Sequence, residues 1–240
     1  MLEGLGSVGT QLDWIALLAL VVLWVGYTTF AYYKGKETPC LASVLALYRR
    51  DWMYRLLGRD NRIADASLLQ SLRASVSFFA STSILIIAGL VTGIAASEEA
   101  VGVLSTIPFV TTNTRELWEL KVLVMLVIFV YTFFEFTWSL RLYNFSCVLF
   151  GSAPLCQDIN GHKTRQAVFA TRSAHIMTLA ANHFNYGLRA YYFAMATLAW
   201  FIHPGLFMGA AALVVFILYR REFHSKVLDA LAVSERETHF

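Results

Sequence analysis

The sequence predicts an all-α fold: a polytopic helical membrane protein with five transmembrane helices, or four in the alternative, and one amphipathic interfacial helix on the cytoplasmic side. Three observations predict it. Hydrophobic residues make up 58% of the 240 and charged residues 15%, with a mean hydropathy of +0.57, too apolar for an ordinary water-soluble domain. Five apolar stretches are long enough to enter or cross a bilayer. Of the 19 Lys and Arg residues, 17 fall on one side of those stretches, which is the bias that cytoplasmic loops carry.

The first stretch runs from Trp14 to Tyr33. Its roughly 20 residues rise about 30 Å as a helix, the thickness of the hydrocarbon core. Glu3 and Asp13 precede it without any Lys or Arg, so the basic region of a cleaved secretory signal is missing and the segment is expected to stay in the mature protein. Lys34, Lys36, Arg49, Arg50, Arg55, Arg59, Arg62 and Arg73 lead to the second run, Ala74 to Ala96. That loop is therefore cytoplasmic and the N-terminus outside. Between Ser97 and Glu119 only Arg115 stands beside Glu98, Glu99, Glu116 and Glu119, and Pro108 with Thr111 to Thr114 breaks any long helix, which marks an external loop.

The third span, Leu120 to Leu140, carries Lys121 at its outer end and returns the chain inside, where Arg141, Lys163, Arg165, Arg172 and Arg189 collect. From Gln166 to Ile202 the pattern is one long helix, comprising a cytoplasmic helical region over 164–183 and a fourth span over 184–202. His203-Pro204-Gly205 interrupts it, because proline disfavours helix at the residue before it and glycine permits a reversal. The run Leu206 to Tyr219 ends at Arg220, Arg221 and Lys226. Reading it as a fifth span puts this basic cluster and the tail, 220–240, inside. Its 14 residues rise only about 21 Å, so a single bent fourth helix ending outside is the alternative. The whole chain, 1–240, is then one membrane domain.

Between the first two spans an interfacial helix is expected over 38–57, with Thr38 as N-cap, Pro39 in its first position and Gly58 at its end. Leu41, Leu45, Tyr48 and Trp52 recur every three or four residues against Arg49, Arg50 and Arg55. A basic amphipathic helix of this kind lies on the inner leaflet and favours anionic headgroups; packing on the bundle as a plain lid is the other reading.

Glu135 is the one acid well inside a predicted span. A charge left unpaired near the bilayer centre costs roughly 2.5 to 3.5 kcal/mol on insertion scales, so it is expected to be paired, protonated or facing water. Tyr131, Trp138 and Ser139 lie on or near its helical face. Arg73, Arg141 and Arg189 mark the inner ends of the second, third and fourth spans, with Asn144, Asn182 and Asn185 close by. Together, Arg73, Glu135, Arg141, Asn144, Asn185 and Arg189 form a candidate pocket for an anionic headgroup, a small anion or a proton-coupled substrate. The competing reading has each arginine snorkelling to the interface while Glu135 pairs with one of them to lock helix packing.

His175 and His183, eight residues apart on one helix, sit about 12 Å apart along its axis and are weak metal candidates without a third group between them. His162, His203, His224 and His239 are scattered, so no metal, haem or other cofactor is predicted. No serine or cysteine stands in a nucleophile elbow or beside a paired histidine, which argues against an enzyme. Cys40, Cys147 and Cys156, odd in number and without CxxC spacing, are expected as reduced thiols. Gly89, Gly93 and Ser97 make a small-residue face suited to close helix approach, within the chain or in an oligomer.

Three stretches carry a resemblance: Phe79-Ala80-Ser81-Thr82-Ser83-Ile84-Leu85, Ser139-Leu140-Arg141-Leu142-Tyr143-Asn144, and Asn185-Tyr186-Gly187-Leu188-Arg189-Ala190-Tyr191-Tyr192-Phe193-Ala194 through Trp200 and Pro204. They resemble a family of bacterial and plant integral membrane proteins catalogued as domain of unknown function 599, over nearly the whole chain to Arg221. The resemblance implies membership without an activity, substrate or cofactor. It also implies that Arg73, Arg141, Asn144 and Arg189 fall where the family pattern carries the same polar types.

The expected function is a non-enzymatic component of the bacterial inner (plasma) membrane that binds anionic lipid or a partner protein through a basic inner-leaflet pocket. A transporter or channel for a small anion or proton-coupled substrate is the alternative, and a haem or metal protein the third. Partners are then membrane lipids, a second copy or a membrane partner protein. Nucleic acid is not expected, since topology already accounts for the net charge of +3.

Overall fold

The computed structural model describes residues 9–104, 114–154 and 163–237, and every regular element in them is helical. Glu3, Pro108, Thr111, Thr112, Cys156, His162 and His239 lie outside the described residues. In chain order the helices are α1 (Gln11–Glu37), α2 (Leu41–Leu57), α3 (Ile63–Ala95), α4 (Ser97–Leu104), α5 (Arg115–Gly151), α6 (Lys163–Thr197), α7 (Pro204–Phe223) and α8 (Lys226–Glu237), with a 3-10 turn, Leu198–Phe201, after α6.

Three of these, α1, α3 and α5, are long and apolar enough to cross a membrane. They also leave large apolar side chains uncovered, among them Leu18, Val25, Phe78, Ile84, Val127 and Phe134, with Leu85 74% exposed. Water would drive such helices to bury those faces; lipid does not. Both α3 and α5 outrun the expected spans, because a charge ends an apolar run without ending a helix. At its start α3 carries Asp65 in the first turn, where the helix dipole favours an acid.

The described residues fall into two compact units. The first comprises Met1–Glu37, Thr82–Thr132 and Leu188–Arg221. At one of its ends the start of α1, the end of α3, the start of α5 and the α6–α7 corner meet. There Trp200 Nε1 donates to Asp13 at 2.8 Å, Lys121 Nζ to the Trp200 carbonyl at 3.0 Å, and Trp118 Nε1 to the Gly93 carbonyl at 3.3 Å. Arg115 bridges Glu98 of α4 and Glu119 of α5 beside them.

At the other end of this unit Lys34 Nζ donates to the Tyr219 hydroxyl at 2.9 Å, and the Phe30 ring packs on Tyr219 at 6.2 Å. Since α1 starts near Trp200 and ends near Tyr219, α7 runs beside α1 in the same direction. Between the two ends Trp24 stacks on Phe193 at 6.0 Å, and Ser83 and Tyr191 share a hydrogen bond at 3.2 Å.

The corner before α7 forms as expected at His203-Pro204-Gly205: the Gly205 N–H donates to His203 Nδ1 at 2.9 Å, and Pro204 takes the first helical position, where its missing N–H costs nothing. With Pro204 inside and the basic end still helical, α7 reaches 20 residues, about 30 Å, rather than the 14 of its apolar run.

The second unit comprises Thr38–Ser81, Phe133–Gly187 and Glu222–Phe240. In it α2 buries Val44, Met53, Leu56 and Leu57, and the Tyr48 hydroxyl donates to the Leu231 carbonyl of α8 at 3.3 Å. The start of α2 lies later than expected. Cys40, in extended conformation at φ −128° and ψ 164°, is its N-cap, because Ser43 Oγ accepts the Cys40 N–H at 3.0 Å and so satisfies the donor there; Gly58 closes the helix as expected. Arg62 then ties α3 to the end of α5, donating to the carbonyls of Ala153 at 3.0 Å and Pro154 at 2.6 Å.

Within this unit α5 and α6 pack antiparallel. Ser139 Oγ donates to the Ala180 carbonyl at 2.7 Å, and the rings of Phe79, Phe136 and Phe184 close a cluster with centroids 5.5 to 5.6 Å apart. Gly187 lets α6 approach: a Cβ there would stand 2.5 Å from the Phe136 ring.

Candidate functional site

The antiparallel register that joins Ser139 to Ala180 also brings Glu135, one turn earlier on α5, opposite His183 on α6. His183 Nδ1 lies 2.7 Å from Glu135 Oε2, with the two side chains 28% and 16% exposed. The imidazole is held edge-on by Trp138, at 6.3 Å, and by Tyr186, at 5.8 Å. The Arg141 guanidinium stands over the Trp138 ring at 5.9 Å and over Phe145 at 5.8 Å. Phe134, Glu135, Thr137, Trp138, Arg141 and His183 line an open recess of about 450 Å³.

This arrangement answers the cost of placing an acid among apolar helices, since a paired carboxylate is cheaper there than a lone one. It can also do chemistry. A carboxylate–imidazole pair holds or passes one proton, and an arginine over aromatic rings is a fork for a carboxylate or phosphate.

Of the six predicted pocket residues, Glu135 and Arg141 line this recess. Arg73, Asn144 and Asn185 belong to the same unit: Arg73 is half-buried, with its Nε unbonded, and the two asparagines are exposed. Arg189 belongs to the first unit, where its guanidinium stands over Tyr27 at 5.6 Å.

On α2, Arg50 and Arg55 are exposed and Arg49 is half-buried. Burial holds the Arg49 guanidinium below its ordinary pKa, with Tyr143 opposing the shift. Trp52 points inward, its Nε1 donating to Asp65 at 2.7 Å, and Arg59 pairs with the same buried carboxylate. His175 is exposed on α6, and among the described residues no three His, Cys, Asp or Glu side chains come together as metal ligands. Cys40, buried, and Cys147, half-buried, are free thiols.

Two features escape sequence reasoning. The partner of Glu135 is a histidine considered only as a metal ligand. Lys121, expected as an outer-end charge, is fully buried: its ammonium lies over the rings of Trp200 and Phe201 at 5.6 and 5.9 Å. The usable signals were an acid, Asp13, before the first apolar run and a lysine at the head of the third.

Helices of membrane-crossing length, with their polar side chains paired helix to helix, define the class. Within it, the chain belongs to the family described as Protein of unknown function, DUF599, which matches residues 15–227. No curated protein and no solved structure matches the chain.

Proposed function

We propose that the chain is a non-enzymatic component of the bacterial inner membrane that crosses it five times, N-terminus outside and C-terminus inside, and holds anionic lipid on its basic face. The co-directional run of α1 and α7 supports the fifth crossing, since both end at basic residues, Lys34 and Lys36 in one and Arg220 and Arg221 in the other.

The observation that carries the lipid reading is α2. Its apolar face is already occupied by its own unit, which leaves Arg50 and Arg55 exposed beside the interface that the positive-inside rule assigns to it. Each such cation near a membrane surface is worth about 1 kcal/mol toward anionic lipid. Arg50→Gln with Arg55→Gln therefore removes about 2 kcal/mol, roughly a 30-fold preference. Native mass spectrometry of the protein released from phosphatidylglycerol–phosphatidylcholine nanodiscs measures it. Equal retention of phosphatidylglycerol by the double variant sinks the reading.

The Glu135–His183 pair beside an open recess favours a second reading, proton-coupled transport of a small anion. Proteoliposomes loaded with a pH dye test it: proton flux that Glu135→Gln abolishes supports transport, and flux indifferent to that change rejects it.

A further inference from the structure

In the first unit, α1 and α7 leave between them an apolar groove of about 560 Å³, lined by Val22, Gly26 and Phe30 on one side and Ala212, Phe216 and Tyr219 on the other. That volume lies within the range of small-molecule sites. We propose that this groove holds one acyl chain of an anionic phospholipid whose phosphate is met by Lys34. The inference rests on the lipid reading above, but assigns it a site that α2 does not form.

Length and charge identify the occupant. From Val22 to Phe30 the groove wall rises about 12 Å, close to the roughly 15 Å of a single leaflet. The lining is apolar apart from two hydroxyls, those of Tyr27 and of Tyr219, the latter at one end. That end is where the charge sits: Lys34 Nζ, bonded to Tyr219, stands 5.2 Å over the Phe30 ring and 4.7 Å over the Tyr219 ring. A fixed ammonium caps the groove at the level where α1 and α7 turn basic. A second cation stands behind the wall, since Arg189 lies over Tyr27, which also lines the groove. An apolar slot with an ammonium at one end is complementary to a fatty chain carrying a phosphate.

Gly26 is the position from which to fill the groove, because a Cβ there meets nothing within 4 Å. The probe is phosphatidylglycerol with a diazirine in one acyl chain, photolysed in nanodiscs with the full chain. Labelling is expected on peptides spanning 22–30 and 212–219, lost in Gly26→Phe and reduced in Gly26→Leu. Lys34→Gln is expected to cut labelling by phosphatidylglycerol about fivefold relative to phosphatidylcholine, the loss of one interfacial cation. Arg50→Gln with Arg55→Gln leaves this labelling in place, which separates the groove from α2. Undiminished labelling in Gly26→Phe, no headgroup discrimination by Lys34, or crosslinking of the groove to a second copy in place of lipid each overturns the assignment.

Discussion

Replacing Gly187 with alanine sets two forces of known size against each other. A mid-helix glycine costs roughly 0.5 to 1 kcal/mol relative to alanine, so propensity alone makes Gly187→Ala stabilising. Packing has the opposite sign. The added Cβ would lie 2.5 Å from Phe136 Cε1 and 2.8 Å from both Cδ1 and Cζ, closer than real Cβ contacts come. Phe136 is fully buried, and Phe79 and Phe184 flank it, so the ring has little room to yield. Overpacking of this kind costs typically 1 to 3 kcal/mol, for a net destabilisation of up to about 2.5 kcal/mol, in the upper part of that range where the ring cannot move. Reversible unfolding of the purified protein in mixed micelles reads the difference, with Gly26→Ala as control, since its Cβ meets open space and only the propensity gain remains. Phe136→Leu in the Gly187→Ala background should recover part of the loss. If Gly187→Ala is as stable as the parent, or more so, the close α5–α6 approach is not what this glycine provides.

Trp200→Phe keeps the stacked ring on Phe207 but removes the donor to Asp13. A hydrogen bond to a charged group is worth about 1.5 to 3 kcal/mol, and the same unfolding assay should show a loss of that order; no change would mean that Asp13 is satisfied without Trp200. Orientation is checked with cysteines placed at Arg50, Glu98 and Lys226, all exposed. In right-side-out vesicles a membrane-impermeant maleimide should label the position at Glu98 alone, and labelling at Lys226 would return the chain to four crossings.

Apolar runs were legible wherever side-chain chemistry is local: helix type, the Gly58 stop, and the break at His203-Pro204-Gly205 each follow from residues within a few positions. Helix extent was not, because hydropathy loses the helix at Arg73 or Leu140 while backbone hydrogen bonding continues. The Glu135–His183 pair shows the harder limit. Both residues were conspicuous, yet their meeting depends on the register of α5 against α6, set by Ser139, Phe136 and Gly187 together, which no spacing within either helix encodes. Likewise, grouping Arg189 with Arg141 followed from both lying at span ends, whereas Arg189 finds Tyr27 of α1.

The bond between Asp13 and Trp200 joins residues 187 positions apart. A ribosome adding about 5 to 20 residues per second needs on the order of 10 to 40 s to cover that distance. Throughout that interval the first helix is already made and its carboxylate has no tryptophan to receive. Thr10 is the interim answer: its backbone N–H and hydroxyl both donate to the other carboxylate oxygen, at 3.0 and 2.7 Å, using atoms that leave the ribosome beside it. The local clasp is available to the acid before the 3-10 turn that follows α6 is made, and a chain truncated before Trp200 keeps the Thr10 bonds to Asp13 while lacking the tryptophan donor.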